Sequence, residues 1–259
     1  MPKKTAVTAQ KNKSRRKELI QMFEKLAYRY GRHNVWNDFI YMCASSMSQR
    51  VDYRQNRLHR FNSYDKEAQA VFPKMFGELV LAFEAEQFGD ILGEIYSSLE
   101  LTNAKAGQFF TPYNVCKMMA AINMGDGLTA EIERKGYISV SDPCGGAGAM
   151  LIAFAEQCMD SGINYQQSVL FVAQDIDPAV ALMCYVQMSL LAMPGYVVIG
   201  NSLIPSENYD IWYTPMYALQ GFQHRTQTDT AAPEEPAEVV ADVMLREDED
   251  GQLSFDFAS

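Results

Sequence analysis

The chain is poor in histidine and has no paired cysteines. Three histidines and five cysteines spread over 259 residues, with no Cys-x-x-Cys, leave no metal-ligand spacing, and no metal is expected. An odd number of scattered cysteines also argues against a disulfide framework, so Cys43, Cys116, Cys144, Cys158 and Cys184 are expected to be small buried side chains. No apolar run reaches the length of a membrane span, and no apolar signal core follows the basic start. These absences predict a cytoplasmic protein with no membrane partner. Basic charge is missing at one end: residues 226–259 hold ten acids against Arg246 alone, which is −9 of the net −10. The rest of the chain is therefore close to neutral.

Within that rest, seven cations (Lys3, Lys4, Lys11, Lys13, Arg15, Arg16 and Lys17) precede residue 18 with no acid among them. They read either as a DNA-phosphate-neutralising arm or as a disordered, solubilising start that binds nothing specific. From Arg16 to about Gln49, Leu19, Ile20, Phe23, Leu26, Ala27 and Tyr30 recur at helical spacing, with a stop signal at Gly31-Arg32-His33-Asn34. Further helices are expected at about 66–86 and 89–100. From Tyr137 the texture changes. Short β-branched runs at 137–141, 168–173 and 196–199, and a weaker one at 209–213, alternate with helical segments, the signature of a parallel, doubly wound α/β sheet.

The first of these strands runs into Asp142-Pro143-Cys144-Gly145-Gly146-Ala147-Gly148, and a helix follows. Such a loop lets a ligand approach the backbone where a strand's carboxyl end meets a helix N-terminus. An acid at the end of the next strand, Asp175 or alternatively Asp177, can accept from ribose hydroxyls. The plainer alternative is a tight turn followed by helix caps.

Three segments together resemble the N6-adenine methyltransferase subunits of type I restriction-modification systems. Asp142 to Ile152 is similar to that family's DPxxGSGGMLI loop, Gly107-Gln108-Phe109-Phe110-Thr111-Pro112 to its GQFYTP segment, and Asp90-Ile91-Leu92-Gly93-Glu94-Ile95-Tyr96 to the helix before it. Gln174-Asp175-Ile176-Asp177-Pro178 is similar to its ribose-binding segment. The likeness spans roughly residues 75–217. It implies a Rossmann-like, S-adenosylmethionine-dependent methyltransferase fold, with DNA adenine as substrate and S-adenosyl-L-methionine as cofactor. Phe109, Thr111 and Pro112 would line the methionine end. Asp142, Pro143, Gly145, Gly146 and Gly148 would form the loop, and Asn201 would stand near the cofactor's adenine.

The pattern breaks at the family's Asn-Pro-Pro-Tyr/Phe turn, which reads Thr214-Pro215-Met216-Tyr217 here. Thr214, Pro215 and Tyr217 are the expected catalytic positions, with a hydroxyl in place of an amide. Only four strands are legible where the family sheet has seven. Either a homodimer or partner subunit completes the site, or the chain is a reduced, catalytically impaired accessory. Trp212 and Tyr213 at an uncovered edge would suit such an interface, unless the N-terminal helices cover them. The end, Gln252-Leu253-Ser254-Phe255-Asp256-Phe257, is similar to peptides that dock on the bacterial DNA-polymerase sliding clamp; it reads alternatively as a last strand. The expected organisation is a basic disordered arm (1–17), an N-terminal helical bundle (18–104), a truncated methyltransferase-like core (105–225) and a disordered acidic tail (226–259).

Overall fold

The structure is a computed structural model that describes residues 6–48, 50–102, 108, 110–125, 127–204, 209–228, 244–247 and 253–256. The chain forms two units, Met1–Phe222 and Gln223–Ser259.

Among the described residues, the first unit opens with helices: α1 (Ala6–Tyr30), α2 (Arg32–Met47), α3 (Val51–Asn62), α4 (Lys66–Gln69), α5 (Phe72–Ala85) and α6 (Ile91–Ser98). Gly31 separates α1 from α2 at φ +88°, a backbone state that glycine adopts without a Cβ penalty. Phe23, Phe39 and Tyr96 pack their rings around the buried Trp36. The expected disordered arm is corrected from Ala6 onward, where α1 already begins. Its alanine, lysine and arginine are good helix formers. Arg15 pairs with Glu78 on α5, and Arg16 with Glu86 and Glu94, so these two cations are held by the fold.

The α/β half runs α7 (Tyr113–Asn123), α8 (Leu128–Lys135), β1 (Ile138–Asp142), α9 (Ala149–Asp160), α10 (Tyr165–Ser168), β2 (Val169–Asp175), α11 (Pro178–Leu190), β3 (Gly195–Ile199), β4 (Asp210–Tyr213), α12 (Pro215–Leu219) and α13 (Phe222–Thr228). α13 runs on into the second unit. Four strands were expected here and, among the described residues, four are seen, in the order β1-β2-β3-β4. β1, β2 and β3 are parallel, as a doubly wound sheet requires. β4 departs from it and runs antiparallel to β3. A parallel return needs a crossover of about a dozen residues or more, usually helical. Only residues 200–209 join β3 to β4, so the chain turns back beside the strand it has just left.

β4 is held there by the helical half. Trp212 is 1% exposed and stacks on Tyr53 of α3 at 3.8 Å and 4°, with Tyr41 and Tyr185 against its edges. The Tyr53 hydroxyl donates to Asp210. The helices thus cover Trp212, while Tyr213 stays exposed. One hydrophobic core runs from Leu19 on α1 to Trp212 on β4, without a break between helical and α/β halves.

In the second unit, β5 (Met244–Glu247) and β6 (Leu253–Asp256) pair antiparallel. Leu253 and Phe255 of the expected clamp peptide belong to β6, in line with the alternative reading of the end as a last strand. Gln252 and Phe257 lie outside the described residues.

Candidate cofactor site

At the carboxyl end of β1 the chain crosses over β2 and enters α9. Gly145 donates its N–H to the Gln174 carbonyl (2.9 Å), and a Cβ on Gly145 would meet the Ala173 Cβ at 3.3 Å. Gly146 and Gly148 have φ +54° and +96°; a Cβ on Gly148 would stand 2.8 Å from the Cys184 sulfur on α11. Only glycine passes at this spacing and in this backbone state.

Two carboxylates hold the loop's inner side. Asp142 accepts from the Cys144 N–H at 3.1 Å, and Asp175 accepts from the Gly146 N–H at 3.0 Å. Asp175 also accepts from the Asp177 N–H (2.9 Å). Asp177 caps α11 by accepting from the Ala179 and Val180 N–H groups, and its other oxygen accepts from the Gln108 side chain at 2.5 Å. Of the two acids open as alternatives, Asp175 therefore faces the glycine loop and Asp177 serves the helix. Burial pushes the Asp142 carboxyl above its usual range; the Cys144 N–H opposes that shift and the charge of Asp175 adds to it.

A cavity of about 60 Å³ lies against the loop, lined among others by Asp90, Phe110, Thr111, Asp142, Gly145 and Gly146. Phe109 falls outside the described residues. Its neighbour Phe110 packs on Tyr96, and a Cβ on Gly146 would sit 3.5 Å from the Phe110 ring. Thr111 and Pro112 are exposed and lead into α7, with the Thr111 carbonyl accepting from the Cys116 thiol. Pro143 is exposed on the loop. So is Cys144, which corrects the expectation that every cysteine is buried: the loop turns it outward toward Ser202, 4.0 Å away. Asn201 shapes the turn after β3, accepting from the Leu203 N–H (3.0 Å), so its turn stands at the same end of the sheet as the glycine loop.

Thr214, Pro215 and Tyr217 do not join them. Through the sheet register, Asp142 is level with Ala173, Val197 and Trp212. Thr214 comes two residues after Trp212 on a strand pointing the other way, so it is three strands across from Asp142 and two residues below it. Ideal strand spacings put that at about 16 Å. Thr214 is 1% exposed and occupied by structure: its hydroxyl donates to the Met193 carbonyl (2.9 Å) and accepts from the Gly195 N–H (3.1 Å). Tyr217 packs with Tyr196, Tyr213 and Phe222. Thr214, expected at the catalytic turn, is thus a buried N-cap of α12 at the end of the antiparallel β4.

Two residues of the site were not singled out from sequence. Asp90 caps α6 and is 4% exposed; its Oδ1 accepts from the Gly93 N–H (3.0 Å) and from the Gln187 amide (2.8 Å). Gln187, fully buried on α11, also donates to the Ala147 carbonyl of the loop (2.7 Å) and accepts from the Leu92 N–H (3.0 Å). Signals for both existed. Asp90-x-x-Gly93-Glu94 opens an apolar helix as a cap does, and Gln187 is a lone amide in Val180–Leu190, where a buried polar group needs partners. Burial raises the Asp90 pKa, opposed by the Gln187 and Gly93 donors.

A glycine loop at the first strand's carboxyl end, an acid ending the next parallel strand and helices on the sheet define the Rossmann-like α/β class of cofactor-binding folds. Within that class, residues 84–208 match the family model described as N-6 DNA Methylase. A solved Listeria monocytogenes structure, provisionally described as a class I S-adenosylmethionine-dependent methyltransferase, is similar at 14% identity with a TM-score of 0.44. The match covers 75% of this chain and 56% of that one, so the chain spans little more than half the length of that protein. No curated protein matches the chain.

The family match implies S-adenosylmethionine as cofactor, and the residues fit it. Gly145 and Gly146 bring the loop's backbone to the cavity wall, and Asp175 retains lone pairs for hydroxyl donors. Asp142 and Asp90 line the cavity wall as carboxylates, which suit the ammonium that the cofactor's amino-acid end carries beside its carboxylate. Among the described residues, no group of three or more His, Cys, Asp or Glu could hold a metal ion, and no helix is long and apolar enough to cross a membrane.

Proposed function

We propose that the chain binds S-adenosyl-L-methionine at the carboxyl ends of β1 and β2 and works in the methylation of adenine N6 in DNA. The single observation that carries the reading is the loop itself: two left-handed glycines and a third packed on Ala173, with Asp142 and Asp175 turned inward. The match of residues 84–208 to the N-6 DNA methylase family supports the substrate class.

When bound, the cofactor supplies a methyl group on a sulfonium, open to a single displacement by a nitrogen lone pair. The chain's own residues bind and orient. Asp175 accepts from ribose hydroxyls while keeping its bond to Gly146. Asp142 accepts from the amino group of the methionine part. Thr111 and Pro112 border the methionine end, and the Asn201 turn borders the adenine end. Such alignment accounts for a large part of catalysis in a displacement that needs no nucleophilic side chain.

A second reading has a specific observation behind it. Thr214, Pro215 and Tyr217 sit at a helix cap three strands from the loop, so they do not hold an extruded adenine beside the methyl group. This favours a cofactor-binding accessory that acts through a partner, be it a methyltransferase subunit, a second copy that completes the sheet or the sliding clamp. Calorimetric titration with S-adenosylmethionine beside labelled-methyl transfer to adenine-containing DNA separates the two. Binding with transfer establishes the enzyme. Binding without transfer by the chain alone establishes the accessory, and absence of binding overturns both.

A further inference from the structure

We propose that Asp90, the cap of α6, is a direct ligand of the cofactor's α-ammonium, acting together with Asp142 across the cavity beside the glycine loop. This rests on the reading of that loop as the S-adenosylmethionine site.

The two oxygens of Asp90 are unequal. Oδ1 is saturated by the Gln187 amide and the Gly93 N–H, whereas Oδ2 has no hydrogen-bond donor among the described residues. Yet the side chain is 4% exposed and borders the cavity. A buried carboxylate with a free oxygen is costly unless an opposite charge meets it. The cation whose field reaches it, Arg16, is engaged by Glu86 and Glu94. Asp142 borders the same cavity with a second carboxylate, and the other described residues lining it (Phe110, Thr111, Cys144, Met150, glycines and alanines) carry no positive charge.

Two carboxylates on one small cavity, with no cation among its described lining residues, call for a small cation. The described residues present no cluster that could hold a metal. A primary ammonium fits better, because its three donors can be shared between two carboxylates and a neutral acceptor such as the Thr111 hydroxyl. Gln187 holds Asp90 ready for that role. With its Oε1 taken by the Leu92 N–H and its amide shared between Asp90 and Ala147, it fixes the carboxylate and the loop in one network. Preorganisation of this kind lowers the ordering cost of binding.

The test is calorimetric titration of the full chain with three ligands: S-adenosylmethionine, its deaminated analogue, and 5′-methylthioadenosine, which lacks the whole amino-acid end. Asp90→Asn keeps the acceptor for Gln187 and Gly93 and removes the charge. We expect it to weaken S-adenosylmethionine by about 10- to 100-fold, the effect of one hydrogen bond to a charged group, and to leave 5′-methylthioadenosine within about twofold. In the wild-type chain the deaminated analogue should bind more weakly than the parent, a result independent of whether the variant folds. Equal loss for all ligands in Asp90→Asn would mean a purely structural role and overturn the proposal, as would equal affinity of the wild type for the deaminated analogue and the parent. A wild-type chain that binds none of the three overturns the site reading itself.

Discussion

Single side chains around the glycine loop carry a measurable pH signature. Burial raises the pKa of Asp90 and of Asp142 above the ordinary 3.8. A carboxyl with a raised folded-state pKa takes up its proton in the folded state before the unfolded one, so it contributes stability that is fully present below 3.8 and is lost as pH rises through the raised value. Denaturant melts of the ligand-free chain should therefore show stability rising as pH falls from neutrality toward that value, and Asp90→Asn should flatten the rise. Saturating S-adenosylmethionine should flatten it too, since a bound cation favours the ionised acids. Asp52 and Asp65, whose pKa values are lowered by the Arg50 side chain and the Ala68 N–H respectively, act with the opposite sign below 3.8 and leave this window clear. At this scale the sequence was readable where a residue's job is local. Asp142, Asp175 and the glycines stand where their neighbours in the chain put them. Asp90 and Gln187 were not readable as a pair, because the residues that meet are 97 positions apart.

Among the elements, β4 decides most about what the site contains. Its four residues are short for a strand and only weakly β-branched, and it is pinned by contacts from the helical half. Trp212→Ala removes the ring stacked between Tyr53 and the edges of Tyr41 and Tyr185; a cost of about 3–5 kcal/mol is expected from the lost burial and the cavity left behind. Urea denaturation measures it. A cost under about 1 kcal/mol would mean that the stack does not hold the strand. The alternation of strand and helix from Tyr137 onward made the four strands legible, the fourth more weakly, together with the helices α9 and α11. The direction of β4 was not legible. Hydrophobic period tells strand from helix but says nothing of which way a strand points, and that choice followed from the short 200–209 link and the aromatic stack. The helix α3 was missed as well, its polar run of Arg, Gln and Asn showing little apolar period although Tyr53 is the residue that meets Trp212.

At the scale of the whole molecule, charge and core are separated along the chain. The core runs through Met1–Phe222, while residues 229–259 carry ten acids against one arginine, −9 of the total −10. Deleting 229–259 should leave the melting temperature and the affinity for S-adenosylmethionine unchanged, and should strengthen retention on heparin as the remaining chain falls to a net −1. A lowered melting temperature would show that the fold of the first unit depends on the tail. The sequence by itself determined the glycine loop, its flanking strand and helix, the acid on the next strand and the acidic tail, because each depends on residues within a few positions of one another. Only the tertiary structure decided that β4 turns back, that Thr214 becomes a buried cap and that Asp90 and Gln187 close on the loop. Those outcomes depend on contacts between residues far apart in the chain, where the order of the amino acids constrains what can pack but not which packing wins.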